Sequence, residues 1–86
     1  MHIEIIFNES ASKHGIAEED IKNALTTFLL DAAIGVSDDN YEKYLVIGFD
    51  TKGNLIELMY NLNDEQSINV FHAMKCRKDY LKLLER

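Results

Sequence analysis

The sequence predicts one α+β domain spanning residues 1–86, built in two layers from an antiparallel sheet and the helices packed on it. Two β-rich apolar runs, 44–49 and 55–62, flank a polar segment that contains Gly53, as in a hairpin. Residues 18–32 instead repeat their apolar side chains at helical spacing. A chain of 86 residues has room for one hydrophobic core and no second domain.

The first half of the chain predicts a strand followed by two helical segments. Residues 2–7 are rich in β-formers, and the polar break at Asn8 is suited to cap a short helical turn that runs to Lys13. Gly15 then supplies a left-handed stop. The helix predicted over 18–32 has acidic residues in its first turn and a poor N-cap in Ala17. Its apolar stripe consists of Ile21, Ala24, Leu25, Phe28 and Ala32.

The second half predicts a loop, three strands joined by hairpins, and a final helix. The run 44–49 is apolar throughout, which indicates a strand covered on both faces. The final helix presents Cys76, Tyr80, Leu83 and Leu84 on one face. The predicted order is therefore β-α-α-β-β-β-α. In full, we expect a loop at 35–42, strands at 44–49, 55–62 and 67–73, turns at 50–54 and 63–66, and a helix at 75–85.

Composition excludes several classes of protein. Hydrophobic residues make up 47% of the chain and charged residues 28%, which is typical of a globular domain and excludes disorder and collagen. No apolar run is long enough to cross a membrane, and the first residues do not resemble a signal peptide. The single cysteine, Cys76, fits a reducing compartment, so we expect a cytoplasmic protein. The glycines are isolated and the histidines lack ligand-spaced partners, which predicts neither a phosphate loop, a metal site nor any cofactor.

Charge is distributed unevenly along this acidic chain, whose formal net charge is −6. Residues 72–86 carry five basic and two acidic side chains, whereas residues 1–71 carry four basic and thirteen acidic ones. Because phosphates are repelled by acidic surfaces, any contact with nucleic acid must be confined to the C-terminal segment. A basic last helix that only complements its own dipole is the simpler interpretation.

Residues 72–80 combine an imidazole, several cations and a phenol where the last strand meets the last helix. Metal-free RNA cleavage needs a base for the ribose 2′-hydroxyl, cations for the phosphorane and an acid for the departing 5′-oxygen. His72 can serve as base or acid, Arg77 and Lys75 suit the phosphate, and Tyr80 can orient or donate. This chemistry requires the side chains of His72 and Arg77 to face one shared pocket.

Each of these residues also has a structural interpretation. His72 can be a half-buried residue hydrogen-bonded to the backbone, and Tyr80 can belong to the core with its hydroxyl at the surface. Cys76, four residues from His72, can form a nucleophilic pair with it or simply pack in the core. His14 either caps a short helix or reaches the same surface as the C-terminal helix. The sequence leaves these alternatives open.

The segment 13–16 (Lys-His-Gly-Ile), followed by Glu19, Asp20 and Ala24, is similar to the opening of the BrnT family of bacterial toxins. The run 45–56 resembles the central hairpin of that family, and the basic stretch around Arg77 that leads to Tyr80 resembles its ending. Together these segments cover most of the chain. The basic stretch departs from the family pattern by containing Cys76 and Asp79, and the body of the chain is more acidic.

The resemblance implies a RelE-like fold and a metal-independent ribonuclease that a cognate antitoxin protein neutralises. By position it implies His72, Lys75, Arg77 and Tyr80 as catalytic residues. His14, Lys78 and Lys82 are the candidate substrate-binding residues. A catalytically inactive protein-interaction module on the same scaffold is the alternative. Antitoxin and RNA are the expected partners, a membrane is not, and homo-oligomerisation is left open.

Overall fold

A computed structural model describes residues 3–36, 38, 40–64 and 66–85 of the chain. Within those residues the α+β class is confirmed, with five strands, two α-helices and two short 3-10 helices. Some residues of the predicted elements or of the charge count lie outside the described residues, namely His2, Ser37, Asp39, Glu65 and Arg86. The elements are β1 Glu4–Phe7, a 3-10 helix Glu9–Ser12, α1 Glu18–Thr26, β2 Leu30–Val36, β3 Glu42–Phe49, β4 Leu55–Asp64, β5 Ser67–Lys75, α2 Lys78–Leu81 and a 3-10 helix Lys82–Leu84.

The strands form one mixed sheet in the order β1-β5-β4-β3-β2. Strands β2 to β5 make the predicted antiparallel meander, but β1 pairs with β5 in parallel, with Glu4 opposite Ser67 and Phe7 opposite Val70. The prediction of a wholly antiparallel sheet is therefore wrong at this edge. The chain leaves β1 through α1, enters the far edge at β2, and reverses three times before β5 lies beside β1.

Strand β2 replaces the end of the predicted helix and part of the predicted loop. Helix α1 ends at Thr26, because the hydroxyls of Thr26 and Thr27 both donate to the carbonyl of Asn23 and compete with further helical bonding. The backbone N–H of Leu29 then donates to the carbonyl of Ile47 at 2.8 Å, and the chain continues as a partner of β3. Pairing with a sheet edge has overridden the helical spacing of the apolar residues.

The C-terminal helix is also shorter than the predicted span 75–85. Strand β5 continues to Lys75, which lies opposite Ile56, and the N–H of Cys76 donates to the carbonyl of Leu55. Helix α2 therefore begins only after Arg77, and its four residues are followed by the 3-10 turn.

The predicted turn at 50–54 is confirmed, whereas the turn predicted at 63–66 starts later than expected, because β4 continues to Asp64. Gly15 and Gly53 adopt φ of 74° and 87°, in the left-handed region that glycine tolerates best. Asp50 closes the β3–β4 hairpin, because its carboxylate accepts the backbone N–H groups of Lys52 and Asn54. Ala17 occupies the N-cap of α1 without a side-chain hydrogen bond, as the sequence predicted.

The hydrophobic core lies between α1 and one face of the sheet. Ile21 and Ala24 of the helix pack with Val46, Leu58 and Val70, one from each of the three central strands. The neighbours Leu45 and Ile47 face the opposite side by strand alternation and are buried as well, which confirms that β3 is covered on both faces. None of the described helices is long and apolar enough to cross a membrane.

Gly48 allows the close approach of α1 to β3. A Cβ built on Gly48 would lie 2.4 Å from the carbonyl oxygen of Ala24, and the obstructing atoms belong to the helix backbone.

We expect Gly48→Ala to lower the free energy of unfolding by about 2–3 kcal/mol, because the helix must move off the sheet. Gly53→Ala, which meets no atom within 4 Å but retains a strained φ, should cost about 1 kcal/mol. Urea unfolding of both variants measures the difference, and an equal loss would contradict this account of the helix–sheet contact.

Candidate active site

Glu57 is a fully buried charged side chain in the middle of β4, and three groups donate hydrogen bonds to it. Nε2 of His72 lies 2.8 Å from its Oε2, and the guanidinium of Arg77 reaches both oxygens, with Nη2 at 2.8 Å from Oε2. The backbone N–H of Arg77 also donates to Oε1 at 2.9 Å. His72 and Arg77 therefore meet on one carboxylate, so they do not point apart.

The strand register places His72 beside Glu57. Glu57 lies opposite Met74 in the antiparallel pair of β4 and β5, so His72, two residues before Met74, is its diagonal neighbour on the same face. A register shift follows at once between Met59 and Tyr60, where Phe71 is left without a partner on β4.

Arg77 reaches the carboxylate because it is the last extended residue before α2. Its φ of −76° and ψ of 151° place it at the N-cap, and no side chain of its own caps the helix. Its backbone N–H and its side chain both turn toward Glu57, so the carboxylate fixes the point at which the strand becomes a helix. The guanidinium also lies over the ring of Tyr80, with Cζ 4.7 Å from the ring centroid.

These contacts keep Glu57 ionised although it is buried. Burial alone raises the pKa of its carboxyl. The hydrogen bonds from Arg77 and His72 together lower that pKa by more, so it lies below its ordinary value. The same contact raises the pKa of the Arg77 guanidinium. Because an ionised carboxylate accepts hydrogen bonds and cannot donate, the neutral form of the His72 ring carries its proton on Nε2 and has Nδ1 as the acceptor.

His14 lies next to His72. Their ring centroids are 5.9 Å apart and the rings meet edge to face. The short strand β1 makes this contact possible, because after Phe7 the chain runs along the open edge of β5, where Ser10 Oγ donates to the carbonyl of Phe71 at 2.6 Å. His14 is exposed, whereas the side chain of His72 is 22% exposed.

The structure thus brings four of the sequence-predicted residues together, namely His14, His72, Arg77 and Tyr80. The predicted lysines lie elsewhere. Lys75 is opposite Ile56 on the other face of β5 and lines a cavity of about 420 Å³ together with Cys76 and Leu81. Lys78 and Lys82 are exposed on α2 and the turn that follows it.

Glu57 was missed, although the sequence contains a signal for it. It is the one charge in the apolar run from Leu55 to Tyr60, and a strand with apolar neighbours on both sides buries alternate residues on both faces. Because a buried carboxylate needs a cationic partner, this position in the sequence predicts a nearby cation.

Cys76 packs as a core residue. Its thiol is buried, burial raises its pKa, and its Sγ is 3.7 Å from the carbonyl of Arg77. A protonated, buried thiol is a poor nucleophile, and the ring of His72 is turned to Glu57. Over the part of the chain that the structure describes, no three His, Cys, Asp or Glu side chains are grouped so that they could hold a metal ion.

Comparison of the chain with protein-family models, with curated proteins and with solved structures gives no match.

Replacing Glu57 with glutamine tests whether the buried ion pair stabilises the fold. Because the pKa of Glu57 is lowered in the folded state, its contribution is present above the ordinary value of 4.5 and is lost as the pH falls through the folded pKa. Glu57→Gln should lower the free energy of unfolding by about 2 kcal/mol at pH 7. In this variant the free energy of unfolding should also fall less steeply as the pH drops below 4.5.

Urea unfolding from about pH 3 to about pH 7, a range that brackets the titration of a carboxyl group, measures the stability at neutral pH and its change with pH. Glu4→Gln removes an exposed carboxylate on β1 and is the matched control, expected within about 0.5 kcal/mol of the wild type. Equal losses in the two variants would contradict a buried, ionised Glu57.

Proposed function

We propose that this protein is a metal-independent ribonuclease that cleaves RNA by attack of the 2′-hydroxyl. The observation that carries the proposal is the convergence of His72 and Arg77 on the buried carboxylate of Glu57, each at 2.8 Å. The resemblance to BrnT toxins points to the same activity and to a RelE-like arrangement. The geometry supports it independently, because it joins a proton-transfer group to a fixed cation.

His72 is the proposed general base. With Nε2–H donating to Glu57, the lone pair of Nδ1 can accept the proton of the ribose 2′-hydroxyl. The carboxylate then stabilises the imidazolium that forms, and it holds the ring in one orientation throughout. Among the described residues, none donates a hydrogen bond to Nδ1, so this nitrogen is available to a substrate.

Arg77 is the proposed electrostatic group for the phosphorane. Glu57 uses its Nε and Nη2 atoms, which leaves the N–H groups of Nη1 for a phosphate oxygen. Its side chain is 49% exposed, so the guanidinium has one side on the carboxylate and one side toward solvent. The ring of Tyr80 packs against one face of the guanidinium.

His14 is the proposed general acid. As an imidazolium it would donate a proton to the departing 5′-oxygen, while Nδ1 of His72 receives the proton of the 2′-oxygen. The 5.9 Å between the two ring centroids places both rings within reach of one phosphodiester. This assigns His14 a part in the chemistry as well as in substrate binding.

A non-catalytic interaction module is the second candidate, and one observation favours it. The contacts of Glu57 with the backbone and the side chain of Arg77 join the start of α2 to the sheet, and a domain without catalytic activity would use them in the same way. Under either function we propose a protein partner, which for a toxin is the cognate antitoxin.

His14→Gln separates catalysis from folding. The ring of His14 is exposed and meets His72 edge to face, so its loss should leave the unfolding midpoint unchanged. We expect RNA cleavage by the purified protein, in the presence of a metal chelator, to fall about 100-fold. The matched control is Lys52→Gln, an exposed residue of the β3–β4 hairpin, which should cleave as the wild type does.

Induced expression in bacteria extends the test to the cell. The wild type should arrest growth and deplete transcripts, whereas His14→Gln and the double variant His72→Ala/Arg77→Ala should not. A soluble, folded wild type that leaves RNA intact both in cells and in the purified assay would refute the ribonuclease and leave the interaction module.

Salt dependence tests where RNA binds. Only about three to five cations near α2 are available to phosphates on this acidic chain, so the logarithm of the binding constant should fall with a shallow slope against the logarithm of salt concentration. Fluorescence anisotropy with a labelled single-stranded RNA measures the slope. A slope that requires eight or more contacts (roughly twice the available cations) would place the binding surface elsewhere.

A further inference from the structure

The half of the sheet that α1 leaves open carries a stacked pair of tyrosines. Tyr44 and Tyr60 are cross-strand neighbours on β3 and β4, and their rings stack with centroids 5.0 Å apart and an interplanar angle of 15°. They lie on the same face as Val46 and Leu58, against which α1 packs, but nearer the other end of the strands. We call the surface formed by Asp31, Ala33, Glu42, Tyr44, Tyr60 and Leu62 the tyrosine face.

The tyrosine face is apolar at its centre and exposed at its margins. Ala33 of β2 lies opposite Tyr44, and Leu62, which is 45% exposed, lies opposite Ile68. Val36, beside this surface on β2, is 60% exposed. Exposed apolar residues that adjoin one another in this way mark interaction sites more often than single exposed side chains do.

Two carboxylates, those of Asp31 and Glu42, border the tyrosine pair. The hydroxyl of Tyr60 donates to both oxygens of Asp31, at 3.1 and 3.2 Å, and the hydroxyl of Tyr44 donates to Glu42 at 2.7 Å. Among the described residues, no lysine or arginine forms an ion pair with either carboxylate. Burial and Asp31 raise the pKa of Tyr60, so its hydroxyl stays protonated and donates to the Asp31 carboxylate.

We propose that the tyrosine face binds a basic amphipathic helix of a partner protein, with an arginine stacked on the tyrosines between Asp31 and Glu42. The faces of stacked phenols attract a guanidinium, and the two carboxylates supply the complementary charge. The same carboxylates repel phosphates, which disfavours RNA as the ligand of this surface.

A helix fits this surface better than an added strand does. Helix α1 already packs on the neighbouring part of the same face, and a helix about 10 Å across covers two strands. Strand addition at β2 is disfavoured, because the register shifts between Ala33 and Gly35 and Gly35 adopts a φ of 147°. A bulge of this kind interrupts the row of backbone groups that an incoming strand would need.

This inference does not depend on RNA cleavage, and it is tested without RNA. The probe is a synthetic peptide of about 16 residues, long enough to form a helix on binding, with a leucine stripe flanked by two arginines. A second peptide carries glutamates in place of the arginines. Titration of ¹⁵N-labelled protein, followed by NMR, should give chemical-shift changes at β2, Tyr44 and Tyr60 with the arginine peptide only.

The double variant Asp31→Asn/Glu42→Gln removes both carboxylate charges and keeps the side-chain shapes. It should bind the arginine peptide about five- to tenfold more weakly, as expected for the loss of two charge contacts. Glu4→Gln/Glu19→Gln removes two exposed charges elsewhere and should bind within about twofold of the wild type.

Four results would overturn the proposal: no binding of the arginine peptide, equal binding of the glutamate peptide, equal weakening in the two double variants, or shifts confined to other surfaces. Shifts at Tyr44 and Tyr60 with an RNA oligonucleotide in place of the peptide would assign the surface to nucleic acid instead. None of these results bears on the cleavage assay with His14→Gln.

Discussion

The ionised carboxylate of Glu57, buried inside β4, is the constraint on which the candidate active site depends. A buried charge without partners would cost several kcal/mol, so the structure must bring cations to it. The β4–β5 register supplies His72, and the start of α2 supplies both the backbone and the side chain of Arg77. The same interaction therefore fixes the start of α2 against the sheet and brings the side chains of His72 and Arg77 together.

The elements that the sequence predicted correctly are those set by local patterns. The β3–β4 hairpin follows from apolar runs around Gly53, and the start of α1 follows from its acidic first turn. Strand β2 could not be predicted in this way, because Ala32 fits a helical stripe as well as it fits a place opposite Leu45. The parallel pairing of β1 depends on which edge of a completed sheet is free, and no local pattern contains that information.

The candidate site was predictable to the extent that its members are close in sequence. His72, Arg77 and Tyr80 belong to one short segment where the last strand is predicted to meet the last helix, and their chemistry groups them. Lys75 belongs to the same segment, and a helix beginning there would bring it to the same site. The strand instead continues through Lys75 and turns it to the other face. Glu57 is 20 residues from Arg77 in the chain, so their contact is visible only once the strands are paired.

The two candidate surfaces lie on opposite faces of the sheet and have β4 in common. Glu57 and His72 face one side of β4 and β5, whereas Tyr60 and Val70 face the other. A helix docked on the tyrosine face would therefore leave His14 and His72 open to substrate. A partner that inhibits cleavage would have to cover the Arg77 side of the domain as well, or act through β4, to which both surfaces belong.

Direct observation of the Glu57 carboxyl and the His72 ring by heteronuclear NMR tests the central claim. The account predicts that the ¹³C resonance of Glu57 reports an ionised carboxylate down to a pH below 4.5, and that the ¹⁵N shifts of neutral His72 report a proton on Nε2. A Glu57 carboxyl that titrates at or above 4.5, or a neutral His72 with its proton on Nδ1, would contradict it.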